Sequence, residues 1–239
     1  MFIPLKQFQN GLLLIDLQRS FTKGSWASHF GIDQVEPILN AFKKTKALLE
    51  GDQIIGKANQ EMGKDPSIRS VDLVENPTSV TDLRIPKDNI LCTKCYLNDP
   101  SDSEFDDSVK IAIEEHHIPY VHKPTMNICL NPDFHEWMLH KINPIESAEK
   151  GHEPLRKLYI GGCTTTSCVR ISSCEIKKSF PDVEVVVILD LCGARLDNYV
   201  KNAETDKTLV KLYGKETCMG KSAVDLAVFQ MKSSGVMII

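Results

Sequence analysis

The sequence predicts an α/β protein of three layers, helix, sheet and helix, with a mainly parallel central sheet. Three observations predict it. Short apolar runs alternate with segments of helical period along most of the chain. Several of those runs are apolar at every position, as strands covered on both faces require. Polar residues able to do chemistry stand directly after three of the runs, where doubly wound folds place their ligands.

In chain order, Leu12-Leu13-Leu14-Ile15 reads as a buried strand, and Val35, Ile38, Leu39, Phe42 and Leu49 then recur on one face of a helix. Residues 103–117 repeat the helical signal through Phe105, Val109, Ala112 and Ile113, and run into a strand at Ile118-Pro119-Tyr120-Val121-His122. Leu158-Tyr159-Ile160 is another strand. It ends in Gly161-Gly162 and leads through a polar turn into a helix beginning near Cys168, with Val169, Ile176 and Phe180 as its apolar stripe. Residues 183–189 form the most continuous β-branched run, the mark of a central strand. Helices are expected at about 206–213 and 221–232, and a last strand at 236–239. Two segments compete for the second core strand, 54–58 and 90–94, and the pattern leaves both open. The stretch 51–88, rich in Asn, Pro, Ser and Asp, is long for a connection within one domain. It is expected to be a lid or an oligomer contact, with a plain surface loop as the alternative.

With 239 residues the chain suits a single domain over 1–239. Its 42% hydrophobic and 25% charged residues are the balance of a globular protein, and a net charge of −4 without basic runs offers no field for nucleic acid. No apolar run approaches the roughly 20 residues that cross a bilayer. Met1-Phe2-Ile3-Pro4-Leu5-Lys6 lacks the pattern of a secretory signal, so a cytoplasmic location is expected. Eight cysteines scattered through a chain of this size read as reduced thiols. Cys92 and Cys95 form a C-x-x-C with no second pair at zinc-ribbon spacing, so a structural zinc is not expected.

The three strand ends carry a carboxylate, an amine and a thiol: Asp16 after Leu14-Ile15, Lys123 after Tyr120-Val121-His122, and Cys168 after Gly162-Cys163-Thr164-Thr165-Thr166-Ser167. A cysteine at a helix start meets unpaired amides and the positive end of the helix dipole, which favour the nucleophilic thiolate, and a nearby lysine would add to that. The same amides can hold the oxyanion of a carbonyl under attack. A neighbouring carboxylate can take the thiol proton and return it to a leaving amine. Each residue alone has a plainer reading: a small buried thiol for Cys168, a helix cap for Asp16, a surface lysine for Lys123. Gln18 can support its loop as readily as touch a ligand. His122 should face away from Lys123 and pack in the core. Trp26 and Phe30 either wall the site or fill the interior.

At these residues the sequence resembles a known family. Gly162-Cys163-Thr164-Thr165-Thr166-Ser167-Cys168-Val169 is similar to the nucleophile signature of the isochorismatase-like cysteine hydrolases, which include nicotinamidases and N-carbamoylsarcosine amidohydrolase. Asp16-Leu17-Gln18-Arg19-Ser20-Phe21 resembles that family's first motif, and Lys123-Pro124-Thr125-Met126-Asn127 sits where it has its lysine. The resemblance implies a three-layer α/β fold, a catalytic Asp16, Lys123 and Cys168, and a cis peptide just before Thr164. It implies backbone amides at Thr164 and Thr165 serving an oxyanion, Gln18 near the ligand, and a homodimer or homotetramer. The expected reaction is cleavage of a C–N bond in a small amide, ureido or carbamoyl substrate, without a cofactor. Nicotinamidases hold a metal with histidines, and Thr93-Lys94-Cys95-Tyr96-Leu97-Asn98-Asp99-Pro100 contains none, so no metal is expected and nicotinamide is a poor candidate substrate. The rival readings are a vinyl ether hydrolase using Asp16 as acid, a non-catalytic binding relative, and a redox sensor whose resolving thiol is Cys163, Cys129 or Cys192.

Overall fold

Strand β1 (Asn10–Ile15) shows why the sequence needs a layer on each side of its sheet. Leu12, Leu13, Leu14 and Ile15 are all fully buried, and successive side chains of a strand point to opposite faces. Leu12 and Leu14 enter one core with Ile38 and Phe42 of helix α1 (Glu36–Glu50) and Val109, Ala112 and Ile113 of α2 (Asp107–Glu115). Leu13 and Ile15 enter the other with Phe134 and Met138 of α3 (Pro132–Ile142), Ile176 of α4 (Arg170–Ser179) and Met231 of α5 (Ala223–Ser233). Each such side chain contributes roughly 1.5–3 kcal/mol by leaving water. The computed structural model describes residues 10–52, 54–55, 83–149 and 154–239.

The remaining strands are β2 (Ile54–Ile55), β3 (Ile85–Pro86), β4 (Ile90–Cys95), β5 (Tyr120–Lys123), β6 (Lys157–Cys163), β7 (Glu184–Gly193) and β8 (Met237–Ile238). Six of the eight form one parallel sheet in the order β5-β4-β1-β6-β7-β8, and β2 pairs with β3 separately, also in parallel. The second core strand is therefore Ile90–Cys95, whose Ile90, Leu91 and Cys92 are buried against the two cores. Ile54–Ile55 belongs to the small pair. Segment 83–89 is tied to the amino end of β1, because Asn10 Nδ2 donates to the Arg84 carbonyl and Asn89 Nδ2 donates to the Asn10 carbonyl. Most of the stretch expected to form a lid or contact, 56–82, lies outside the described residues.

Local chemistry sets the element boundaries. Helix α2 begins at Asp107 instead of 103 because Asp106 caps it, accepting from Ser108 N, and Phe105 stays outside to bridge Gln18. Asn131 caps α3, with Pro132 in its first turn, and its Nδ2 donates to the His122 carbonyl. That bond fastens the start of α3 to the end of β5, where Lys123 emerges. Ser222 and Asp225 form a capping box at the start of α5. Among the described residues no helix is long and apolar enough to cross a membrane.

Candidate active site

Asp16 follows β1 immediately and has φ 52°, a left-handed conformation that aspartate tolerates better than most residues. Thr93, fully buried on the neighbouring β4, holds it there. The Asp16 amide faces both the carbonyl and the Oγ1 of Thr93 at 3.2 Å, and Thr93 Oγ1 donates to Asp16 Oδ1 at 2.8 Å. Oδ1 is thus occupied. Oδ2 stands 2.7 Å from Lys123 Nζ, as the carboxylate half of an ion pair.

Lys123 closes β5, paired in register with Cys95 of β4. Because β4 lies between β5 and β1, the lysine stem must pass over the end of β4 to reach Asp16, which places the aliphatic carbons in the interior and the ammonium at the site. Nζ donates to the Thr125 carbonyl at 3.2 Å and lies 3.5 Å from Cys168 Sγ. Lys123 and Asp16 are 1% and 0% exposed, so this is a buried ion pair. Burial works against the lysine charge, but Asp16 and the Cys168 sulfur outweigh it and hold its pKa above the ordinary lysine value.

The thiol arrives from β6. Gly162 has φ 117°, and a Cβ there would fall 2.0 Å from the Ile15 carbonyl oxygen, so only glycine lets the end of β6 lie so close to β1. The next residue, Cys163, donates its thiol to the Asp16 carbonyl at 3.1 Å. The Cys163–Thr164 peptide is cis, as the family resemblance implies. The chain then turns through one π-helical turn, Thr165–Val169, before α4. Cys168 sits in that turn with 8% exposure, its sulfur 3.9 Å from Ser167 Oγ, which is itself bonded to Thr164 Oγ1. Amides at the start of such a turn have no acceptor within it. Those of Ser167 and Val169 are taken by the Thr164 carbonyl.

One expectation needs correction. A thiol at a helix start beside a lysine should be easily ionised, yet burial pushes Cys168 up from 9.0 to about 11, with the Asp16 carboxylate adding to the rise and Lys123 and Ser167 opposing it. The resting site is a neutral thiol beside an intact Lys123–Asp16 pair. Burial dominates because the turn is packed between the end of β6 and helix α5, which the local sequence does not reveal.

The structure brings Asp16, Lys123 and Cys168 into one cluster. Gln18 is fully buried and bound to the protein itself: its Nε2 donates to the carbonyls of Cys95 and Ser103, and its Oε1 accepts from Cys95 N and Sγ. Thr164 and Thr165 are buried at the mouth of the turn. His122 faces away from Lys123 as expected, but it stacks on Tyr96 and meets Tyr120 edge-on at the sheet edge instead of packing in the core. Trp26 packs between Phe21 and Phe30 against the core, and Phe30 lies under the Arg195 guanidinium. All eight cysteines are free thiols, and among the described residues no cluster of His, Cys, Asp or Glu could hold a metal ion. Thr93 was not singled out from sequence, although the rule that found the other three applies to it: it is a polar residue near the end of an apolar strand.

No protein-family model and no curated protein matches the sequence. Solved structures do match. A nicotinamidase of Staphylococcus aureus is 11% identical with a TM-score of 0.54, over 96% of this chain and 98% of that one. The YcaC gene product of Escherichia coli, an octameric hydrolase of unknown specificity, is 15% identical with a TM-score of 0.51, over 100% and 78%. The MAR1 ribonuclease of Caenorhabditis elegans is 13% identical with a TM-score of 0.51, over 99% and 78%. Neighbours with such different activities fix the architecture and leave the reaction to the site itself. The chain has the three-layer α/β fold of the isochorismatase-like hydrolases, the group that its Asp16, Lys123 and Cys168 motifs resemble.

Proposed function

We propose that the protein is a cysteine hydrolase that cleaves a C–N bond of a small amide, ureido or carbamoyl substrate through a covalent intermediate on Cys168. The observation that carries this reading is the single cluster in which a neutral thiol, a lysine ammonium and a carboxylate meet at the carboxyl edge of the sheet. Asp16 Oδ2 takes the thiol proton as sulfur bonds to the substrate carbonyl carbon. With the thiol held near 11, base and attack must act together. The ammonium 3.5 Å from sulfur stabilises the charge that develops there. The oxyanion is received by amides of the turn that begins at Thr164 and Thr165. Asp16 returns its proton to the leaving nitrogen, the C–N bond breaks, and a thioester remains. Water then attacks that carbonyl, Asp16 accepts its proton, the C–S bond breaks, and the thiol is restored. Gln18 keeps the Asp16 loop in register with β4. No metal takes part, so turnover should survive chelation. The protein is proposed to act as a homo-oligomer, in which segment 51–88 forms a lid or subunit contact.

Ammonia release from primary amides, ureido acids and carbamoylated amines tests the reaction, with Cys168→Ala as the blank. Cys168→Ala and Asp16→Asn should each lose about 10³-fold or more in turnover, and the double variant should be little worse, because residues acting as one unit are not additive. Mass spectrometry of the intact protein with a slow substrate should find an adduct on Cys168. Near-normal turnover in Cys168→Ala would overturn the mechanism and leave acid catalysis by Asp16.

A further inference from the structure

Thr164 stands where a helix cap belongs and does not cap. It is extended and directly precedes the turn Thr165–Val169, the position from which a threonine hydroxyl ordinarily accepts from an amide two or three residues on. Its side chain makes no such bond. The Thr164 carbonyl takes the amides of Ser167 and Val169 at 3.1 and 3.2 Å, and the hydroxyl is turned instead to Ser167 Oγ at 2.6 Å. The carbonyl and hydroxyl of one residue thus hold the backbone and the side chain of another, which fixes the place of Ser167 Oγ.

That place is against the sulfur. Ser167 Oγ lies 3.9 Å from Cys168 Sγ, within reach of a hydrogen bond to sulfur, and Lys123 Nζ lies 3.5 Å from the same atom. The two donors differ in what they can change. The ammonium is committed to Asp16 Oδ2 at 2.7 Å and to the Thr125 carbonyl at 3.2 Å before any reaction begins. The hydroxyls of Thr164 and Ser167 are not committed, because each can donate or accept and their hydrogens turn about the C–O bond. Beside a neutral thiol, either can donate to the other. Beside a thiolate, the favoured arrangement has Thr164 donating to Ser167 and Ser167 donating to sulfur, since a hydrogen bond to a charged acceptor is the stronger kind. Such a pair binds the charged sulfur better than the neutral one, which is the condition for accelerating a step. Ser167 is among the groups that draw the Cys168 pKa down against burial.

We propose that Ser167 is a further catalytic residue, donating to Cys168 Sγ as the thiol proton leaves for Asp16, with Thr164 as the hydroxyl that orients it. No proton passes to or from either hydroxyl; both only rotate. The role in turnover rests on the cysteine hydrolase reading, but the hold on the sulfur does not. Alkylation of Cys168 by iodoacetamide at pH 8, followed by mass spectrometry, is therefore the first test. Loss of the donor should cut the thiolate fraction about tenfold, and the more basic sulfur that remains recovers part of this, so Ser167→Ala should slow alkylation about threefold. Ser167→Thr should restore it. Thr164→Val should slow it by a similar or smaller factor, and the double variant should be no slower than Ser167→Ala, because the two hydroxyls act as one unit. Unchanged or faster alkylation in Ser167→Ala overturns the proposal, and a lowered melting temperature in that case assigns Ser167 to packing of the turn. Effects of the two substitutions that multiply overturn it as well. In the second arm, ammonia release, Ser167→Ala should lower kcat about tenfold at constant KM and Ser167→Thr should recover it. Slower alkylation in a protein that hydrolyses no amide, ureido acid or carbamoylated amine supports the donor to sulfur and refutes the hydrolase reading. Hydrolysis together with unchanged alkylation in Ser167→Ala refutes the donor and leaves the hydrolase reading standing.

Discussion

Two lysine–carboxylate pairs mark the two ends of the sheet. At the amino ends of β6 and β7, Lys157 and Glu184 meet at 3.0 Å with side chains 12% and 38% exposed. At the carboxyl ends, Lys123 and Asp16 meet at 2.7 Å with side chains 1% and 0% exposed. A pair in reach of water contributes about 0–1 kcal/mol. A buried one must offset several kcal/mol of lost hydration per ion and is often no more stabilising than apolar residues of the same volume. Stability therefore does not explain why the second pair is buried. Under the proposed hydrolysis its position against the Cys168 sulfur does, since charges in a dry site act on a reacting group far more strongly than in water.

The contrast can be broken by exchanging partners. Lys123→Met should cost about 3–5 kcal/mol in urea unfolding, because Asp16 is left buried without its partner, and it should lower turnover by a factor of about 10² or more. Adding Asp16→Asn to that variant should recover part of the stability and none of the activity. A double variant less stable than either single one would show that the pair is structural. Thr93→Val should have a smaller effect. It removes the hydrogen bond to Oδ1 while keeping shape, so kcat should fall about tenfold at constant KM, and Thr93→Ser should restore it. A change in KM alone would mean that Thr93 touches substrate.

Alkaline pH separates the two ends without mutation. Burial raises Cys168 from 9.0 to about 11 and Cys92, Cys95 and Cys192 to about 12. The folded protein therefore keeps these protons more tightly than the unfolded chain. The stability they contribute is complete below pH 9 and is lost as pH rises through 11 to 12, with Lys123 acting in the same direction. Melting temperature should fall steeply above pH 9, and a flat profile from 9 to 11 would contradict the burial of the thiols. The smallest effect is expected at the amino end, where Lys157→Gln should shift stability by no more than about 1 kcal/mol and leave turnover unchanged.

The fold was readable where burial on both faces leaves a one-dimensional trace. Leu12 to Ile15 and the β-branched residues of β7 are apolar at every position because helices cover both sides. The choice between Ile54 and Ile90 was not readable, since two short apolar runs look alike until their pairing is known. The three residues of the site were readable because each interrupts or follows such a run. The raised pKa of Cys168 was not, because it depends on how deeply the turn after β6 is packed. His122 shows the same limit: alternation gave its face, but only the sheet order reveals that β5 is an edge strand, where an aromatic stack replaces the core. Gln18 had two readings in sequence, and its full set of protein partners favours the one in which it supports the loop.

The order of the strands also bears on how the protein is made. Asp16 and Lys123 both precede Cys168 in the chain, although the sheet sets them on β1 and β5 and the thiol beyond β6. During synthesis the carboxylate and the ammonium leave the ribosome first, and the thiol comes last. Parallel pairing across such separations is slow compared with helix formation, so the cluster closes only when β6 docks beside β1. Until then Cys168 has no carboxylate, no ammonium and no oriented amides beside it. A nascent or partly folded chain carries an ordinary thiol, and the proposed hydrolysis can begin only with the finished fold.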